Sequence, residues 1–351
     1  MEKATTTLWA ALTAALLLVI GSTNANANSW RINNDVTKKA HFTSINAAMS
    51  SADVVAGDTL YLDPGCVCNG QTINKSVTII GTGWGSKAHN VANLTSTTTI
   101  TAANTKLEGV YCKGIVALRA NYITLERCKI EKWITNSTST AQFATIRQCR
   151  IYDYIEGNGA TSNNSIGWTI ENNVISSGSS SGTVRDLYNC TIRNNYIYNT
   201  YTGTSYTPSA LKGISGGLIT NNILLNAKTT KAQTLWSVTN STVQGNVLSS
   251  NETMYADIYP DNVCLDLGYA EAETALVVKT GEDMLYYQLT ADSPARGAGV
   301  IGEDCGPFAG NYPMVIYGRP YGIPYFEESQ VGSRAVDGKV SVKQTVVIQN
   351  D

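Results

Sequence analysis

The sequence predicts an all-β fold: a right-handed single-stranded parallel β-helix with a short N-terminal capping helix and a small C-terminal β extension. Three observations predict it. An eight-residue pattern returns six times, its copies are one solenoid coil apart, and aliphatic residues hold fixed places within it. The segments are ITLERCKI (123–130), ATIRQCRI (144–151), WTIENNVI (168–175), CTIRNNYI (190–197), GLITNNIL (217–224) and STVQGNVL (241–248). Their third residues, Leu125, Ile146, Ile170, Ile192, Ile219 and Val243, are spaced 21, 24, 22, 27 and 24 positions apart. One coil cannot bury its own apolar face; stacked coils can, each strand pairing in parallel with its copy.

The elements follow in chain order. Lys3, the apolar run Leu8 to Ile20 and the small-residue end Ala25-Asn26-Ala27 read as a secretory signal peptide (1–27), cut after Ala27. The run is too short to span a bilayer, which takes roughly 20 residues. No later run is long enough, so the mature chain is expected to be secreted, periplasmic or at the cell surface. Phe42, Ile45 and Met49 have helical spacing and predict a short helix over the open N-terminal end of the solenoid. VTIIG (77–81) and TKLEGVYC (105–112) extend the register upstream. The β-helix with its caps is expected over 28–325. A distinct β tail, 326–351, is an edge strand, an appendage or an attachment segment.

Within the repeat, third and eighth residues should face the core, while second and fourth face outward by strand alternation. The sixth residues are Cys128, Cys149, Asn173, Asn195, Asn222 and Asn246. Stacked Asn amides can hydrogen-bond from coil to coil, and Asn tolerates the left-handed backbone of a corner. Cys fits the same inward place as a compact apolar residue. Of the eight Cys, Cys264 and Cys305 lie outside the clearest repeats and are the disulfide candidates. Cys66 and Cys68 are too close in sequence to expect a bond between them, and too sparse for a zinc site.

Charged residues make up 15% and the net charge is −2, without a basic stripe, which argues against a nucleic-acid partner. The segment 42–65 followed by SVTIIGTG (76–83) resembles the opening of the pectin-lyase-like right-handed β-helix superfamily. The stretch 292–310 with YPMVIYGRPYGIP (312–324) resembles the end of exported, mostly uncharacterised β-helix proteins of Bacteroides-type bacteria. The resemblance implies the fold and leaves the activity open, because that fold hosts lyases, hydrolases, adhesins and structural proteins.

The superfamily's usual catalytic marks are absent from the sequence. There is no Asp cluster for calcium, no Arg-x-x-Pro-x-x-Arg string and no Gly-His-Gly, since the only His are His41 and His89. Gly213 to Gly217 matches Gly-x-Ser-x-Gly but has no His after Ser215. Gly81 to Gly85 reads as a turn rather than a phosphate loop.

Glu126, Arg147, Glu171 and Arg193 share the outward fourth position and should pair between coils as a charge ladder. The sharper alternative is a catalytic group of Glu126, Arg147, Lys129, Arg150 and Asp153. Tyr residues gather in the middle coils beside an expected longer loop, Thr200 to Gly216. Tyr152, Tyr196, Tyr198 and Tyr201, with Arg193, are the expected ligand-binding residues, since aromatic faces beside polar donors suit sugars. The functional expectation is a non-catalytic secreted or cell-surface protein contacting a polysaccharide or cell-surface glycan through a Tyr-rich face. The alternatives are a lyase or glycoside hydrolase of an acidic glycan, and a structural or adhesin surface protein. No metal or cofactor is expected, with calcium entering only if the chain is a lyase.

Overall fold

The computed structural model describes residues 27–85, 91–136, 140–159, 163–203, 208–227, 234–249, 258–280, 283–319, 324–331 and 342–348. Residues 1–26 of the expected signal peptide (1–27), His89 and Tyr206 lie outside them. Each coil contributes one short strand to each of three sheets, and every neighbouring pair within these sheets is parallel. Sheet A has ten strands, from Ser29–Ile32 to Thr242–Gln244. Sheet B has ten, from Val67–Cys68 to Val263–Leu265, and sheet C eight, from Gln71–Ile73 to Leu235–Trp236.

The pairing register is the one the repeat dictates. Leu125 stands against Ile146, then Ile170, Ile192, Ile219 and Val243, and Ile130 against Ile151. These third and eighth residues, together with Val116, Ile134, Ile155, Val184 and Leu211 from sheet C, form the apolar interior. Helix α1 (Ile45–Ser50) is capped by the Ser44 side chain and buries Ile45, Ala48 and Met49 in that interior.

The Asn ladder runs inside the corner between sheets A and B. Each Oδ1 accepts from the backbone and side-chain amides of the coil before: Asn195 from Asn173 at 2.9 and 3.0 Å, Asn222 from Asn195 at 3.0 and 2.9 Å. Asn262 continues it by accepting from Asn246. Cys149 belongs to the same stack, its backbone N–H donating to Asn173. The left-handed backbone lies one residue earlier than the sequence suggested. Arg127, Gln148, Asn172, Asn194, Asn221 and Gly245, all fifth in the repeat, have φ between 52° and 61°. The bend at the fifth residue turns the sixth inward, where its amide replaces the strand hydrogen bonds lost at the corner.

Residues 269–280 and 283–319 wrap the outside of the solenoid. Helix α2 (Tyr269–Leu276) and the segment after it bury Ala272, Leu276, Val277, Met284, Tyr287, Ala295 and Cys305 against Val174, Tyr196, Ile223, Leu225 and Val247 of sheet B. Fifth-position side chains fasten this wrap. Asn172 donates to the Pro307 and Ala309 carbonyls, Gln148 to the Pro313 carbonyl and Asn221 to Glu303.

Two expectations are corrected here. Cys264 and Cys305 are not bonded: Cys264 packs toward the interior, while Cys305 lies in the outer layer and donates to the Gly245 carbonyl, so sheet B separates them. The segment expected as a loop after Thr200 contains the seven-residue strand Ser209–Ser215, paired with Gly182–Tyr188. In the tail, Pro324–Val331 and Val342–Ile348 pair antiparallel as a sheet of their own.

Candidate functional site

The five residues considered for catalysis do not converge. Glu126 and Arg147 belong to sheet A. Glu126 is only 4% exposed and pairs with Lys106 at 2.9 Å, Arg127 at 2.7 Å and Arg147 at 2.9 Å. Burial alone would raise its carboxyl, but those three cations outweigh burial and hold it below the ordinary glutamate range. It is therefore an ionised strut rather than a proton donor. Arg193 is also in sheet A, paired with Glu171 at 2.6 Å, away from the tyrosines expected to be its companions. Asp153 accepts from Ser177 at 3.1 Å.

Lys129, Arg150 and Tyr152 do come together, on the outer face of sheet B. Tyr111, Lys129 and Arg150 are register partners in successive coils, about 4.8 Å apart. The Lys129 ammonium lies 4.9 Å from the centre of the Tyr111 ring, 5.2 Å from Tyr152 and 6.0 Å from Trp84. Lys113 stands 5.4 Å over Tyr111. Among the described residues no carboxylate pairs with Lys129. Tyr111 donates its hydroxyl to Glu131. The ring faces are thus occupied by cations rather than presented to a ligand. The tyrosines hold the ammonium groups in place, and a cation over an aromatic face gains about 0.5–1 kcal/mol at an exposed site.

Arg150 is removed from the candidate set. It is 4% exposed, sits 4.0 Å over Tyr152, and donates to Ser176 at 3.1 Å and to the Tyr287 hydroxyl at 3.0 Å. It pins the wrap to the sheet. Tyr196 is removed too: it is fully buried between sheet B and the wrap, with its ring centre 5.0 Å from Tyr287. Tyr198 is partly covered by a stacked Tyr269 ring, 5.7 Å away. Tyr201 is half-buried, with its backbone N–H on Asn199. Tyr152, 39% exposed, is the most open of the four.

The sequence carried a signal for this covering. Seventh-position residues point outward and read Lys129, Arg150, Val174, Tyr196, Ile223, Val247. The change from charged to apolar marks where the column must be covered, and the end of the wrap also reaches back to Trp84, whose backbone N–H donates to the Tyr317 carbonyl. An outward apolar column needs a second layer, and residues 269–280 and 283–319 supply it.

A second group, on the outer face of sheet C, was missed because its members lie outside the eight-residue repeat. Trp133 and Tyr154 stack with centroids 5.5 Å apart, and the Arg185 guanidinium lies 3.8 Å over Tyr154. Arg185 donates to Glu156 at 3.0 and 3.1 Å. Lys212, in register with Arg185, donates to Ser181. Asp186 sits beside Gly213, whose φ of 61° and closeness to the Asp186 carboxylate leave no room for a side chain. Burial raises the Asp186 carboxyl; Arg185 opposes that and Glu156 adds to it. The signal available was the pair of charged residues Glu156 and Arg185 at one outward place in successive coils.

Inside the wrap, a cavity of about 540 Å³ is lined by Tyr287, Leu289, Arg296, Phe308 and Asn311 among others. Its charged groups are engaged: Arg296 binds the Thr290 and Leu289 carbonyls, and Glu303 accepts from Asn221. Among the described residues no three of His, Cys, Asp and Glu gather closely enough to hold a metal ion. No helix among them is long and apolar enough to cross a membrane.

Residues 90–249 match the family model described as a right handed beta helix region, in agreement with the three parallel sheets. The fold is a right-handed parallel β-helix. No curated protein and no solved structure matches it significantly. The β-helix match spans the coils that carry both Lys129 and Asp186.

Proposed function

We propose that this β-helix protein is exported and binds an acidic polysaccharide through the outer face of sheet B around Lys129, without catalysis there. One observation carries this: Lys129 is flanked by Tyr111, Tyr152 and Trp84, and among the described residues no carboxylate pairs with it. A cation held on ring faces is pre-positioned, so an incoming carboxylate forms a charge-assisted contact at little cost in side-chain entropy. Lys113 adds a second cation two residues beyond Tyr111. Export is supported by the leader pattern of residues 1–27.

The test is binding of the purified protein to a polyuronate and to an uncharged glucan of the same length, at low and at raised salt. Binding to the polyuronate alone, weakened by salt, is the expected result. Equal binding to both polymers would overturn the electrostatic basis.

A second activity, cleavage of the glycan, is favoured by one observation on sheet C. Burial raises the Asp186 carboxyl near the Arg185-bound Glu156, and a raised acid with a second carboxyl group close to it suits acid–base chemistry on a glycosidic bond. Following reducing ends and unsaturated-uronate absorbance in the same mixtures tests it. Product that disappears in Asp186→Asn would establish cleavage, and its absence leaves the protein a binder.

A further inference from the structure

Cys66 and Cys68 are unlike the other six cysteines. Their Sγ atoms touch at 3.7 Å, and both are buried. They flank Val67, which is 41% exposed, so strand alternation turns both thiols to the same, inward side. Gly65, at φ 76°, makes the turn that delivers Cys66 to this place. A disulfide bond is about 2.05 Å long, so closing it needs an approach of less than ~2 Å. Hydrogen bonding from Cys66 lowers the Cys68 thiol to about 7, against the effect of burial, and the Ile45 N–H also favours the thiolate. The shared proton raises Cys66 correspondingly.

Contrary to the expectation from their closeness in sequence, we infer that Cys66 and Cys68 form a disulfide with each other, made by exchange with a disulfide oxidant as the chain folds. The Cys68 thiolate attacks one sulfur of the oxidant, forms a mixed disulfide and releases one thiolate. Cys66 then loses its proton to solvent and attacks the Cys68 sulfur, expelling the second thiolate. The pair is oxidised by two electrons and the oxidant is reduced to two thiols. The remaining cysteines have no such partner geometry. Cys264 and Cys305 lie on opposite sides of sheet B, and the nearest rivals, Cys128 and Cys149, occupy separate coils, linked by the Cys128 N–H donating to the Cys149 sulfur at 3.4 Å.

The experiment refolds the full chain in a mixture of reduced and oxidised glutathione, alkylates free thiols, and maps every cysteine by mass spectrometry. The peptide containing Cys66 and Cys68 should lack both alkyl groups and weigh two hydrogens less, with the other six alkylated. Full alkylation of Cys66 and Cys68, or a Cys128–Cys149 bond in their place, would overturn the inference. Cys66→Ser should trap glutathione on Cys68, about tenfold more than Cys68→Ser traps on Cys66. Equal trapping would overturn the assignment of Cys68 as the nucleophile. The wild-type map decides the bond itself, whether or not either variant refolds fully.

Discussion

Sheets B and C are built from the same coils, yet their outer faces serve opposite ends. Past Arg150, sheet B turns apolar and lies under a second layer of protein. Sheet C keeps Trp133, Tyr154, Glu156, Arg185 and Lys212 outward, and among the described residues no apolar cluster joins it to the wrap. Aromatic residues therefore mean different things on the two faces. Tyr196 is a core residue of an outer layer, while Tyr154 supports a charged group. Position in the repeat gives the direction a side chain points, and only its neighbours along the stack decide whether that direction ends in water.

The largest expected effect breaks the covered face. Tyr196→Ala should cost about 3–5 kcal/mol in urea unfolding, as for other large buried aromatics. Tyr154→Ala should cost about 1 kcal/mol, the scale of a cation–π contact. Equal losses would show that the faces do not differ as described. Next is the ladder that both faces share. Asn222→Ala leaves the Asn195 backbone and side-chain amides without their acceptor and should cost about 1–3 kcal/mol, with polyuronate affinity unchanged.

The charge ladder on sheet A sharpens the contrast through pH. Because the folded state lowers the Glu126 pKa, its contribution is present above the unfolded value, about 4.3, and is lost as pH falls through the folded value. Glu126→Gln should therefore melt below wild type at neutral pH, with the gap closing in acid. A gap that does not depend on pH would mean the ion pairs are not its source.

On the charged part of sheet B, Lys129→Ala should weaken polyuronate binding about tenfold, the loss of roughly 1.4 kcal/mol of charge-assisted contact, while stability falls by no more than the ~1 kcal/mol of its cation–π contacts. The smallest effect belongs to sheet C. The folded state raises the Asp186 pKa, so its favourable contribution exists at low pH and is lost as pH rises through the folded value. Asp186→Asn should slightly raise the melting temperature at pH 7 and change nothing in strong acid. A drop at pH 7 would point to a contact made by the ionised carboxylate.

The architecture was legible because its cause is periodic. Leu125 and its five counterparts repeat an inward aliphatic at coil spacing, and only a stack satisfies them together. The Asn ladder was legible for the same reason, although the left-handed residue is the fifth and not the sixth, since Asn occupies both places in three coils. The site was less legible. Arg150 and Tyr196 point outward as alternation requires, but the layer that buries them comes from residues about a hundred positions later, with no repeat of its own. Reading the seventh column as a whole, rather than its two charged members, would have shown that something must cover Val174 to Val247. Asp186 was invisible for another reason: its setting depends on a glycine in the next coil.

That seventh column also bears on how freely the solenoid's length can change. Between Val174 and Val247 a coil could not be added or removed without unmatching the outer layer, because α2 and the segment after it meet side chains at set heights. The constraint reaches the early coils as well: the Tyr317 carbonyl accepts from the Trp84 backbone N–H, and the Pro313 carbonyl from Gln148. The wrap acts as a ruler laid along the stack, and a change of length anywhere between Trp84 and Val247 needs a matching change in the wrap.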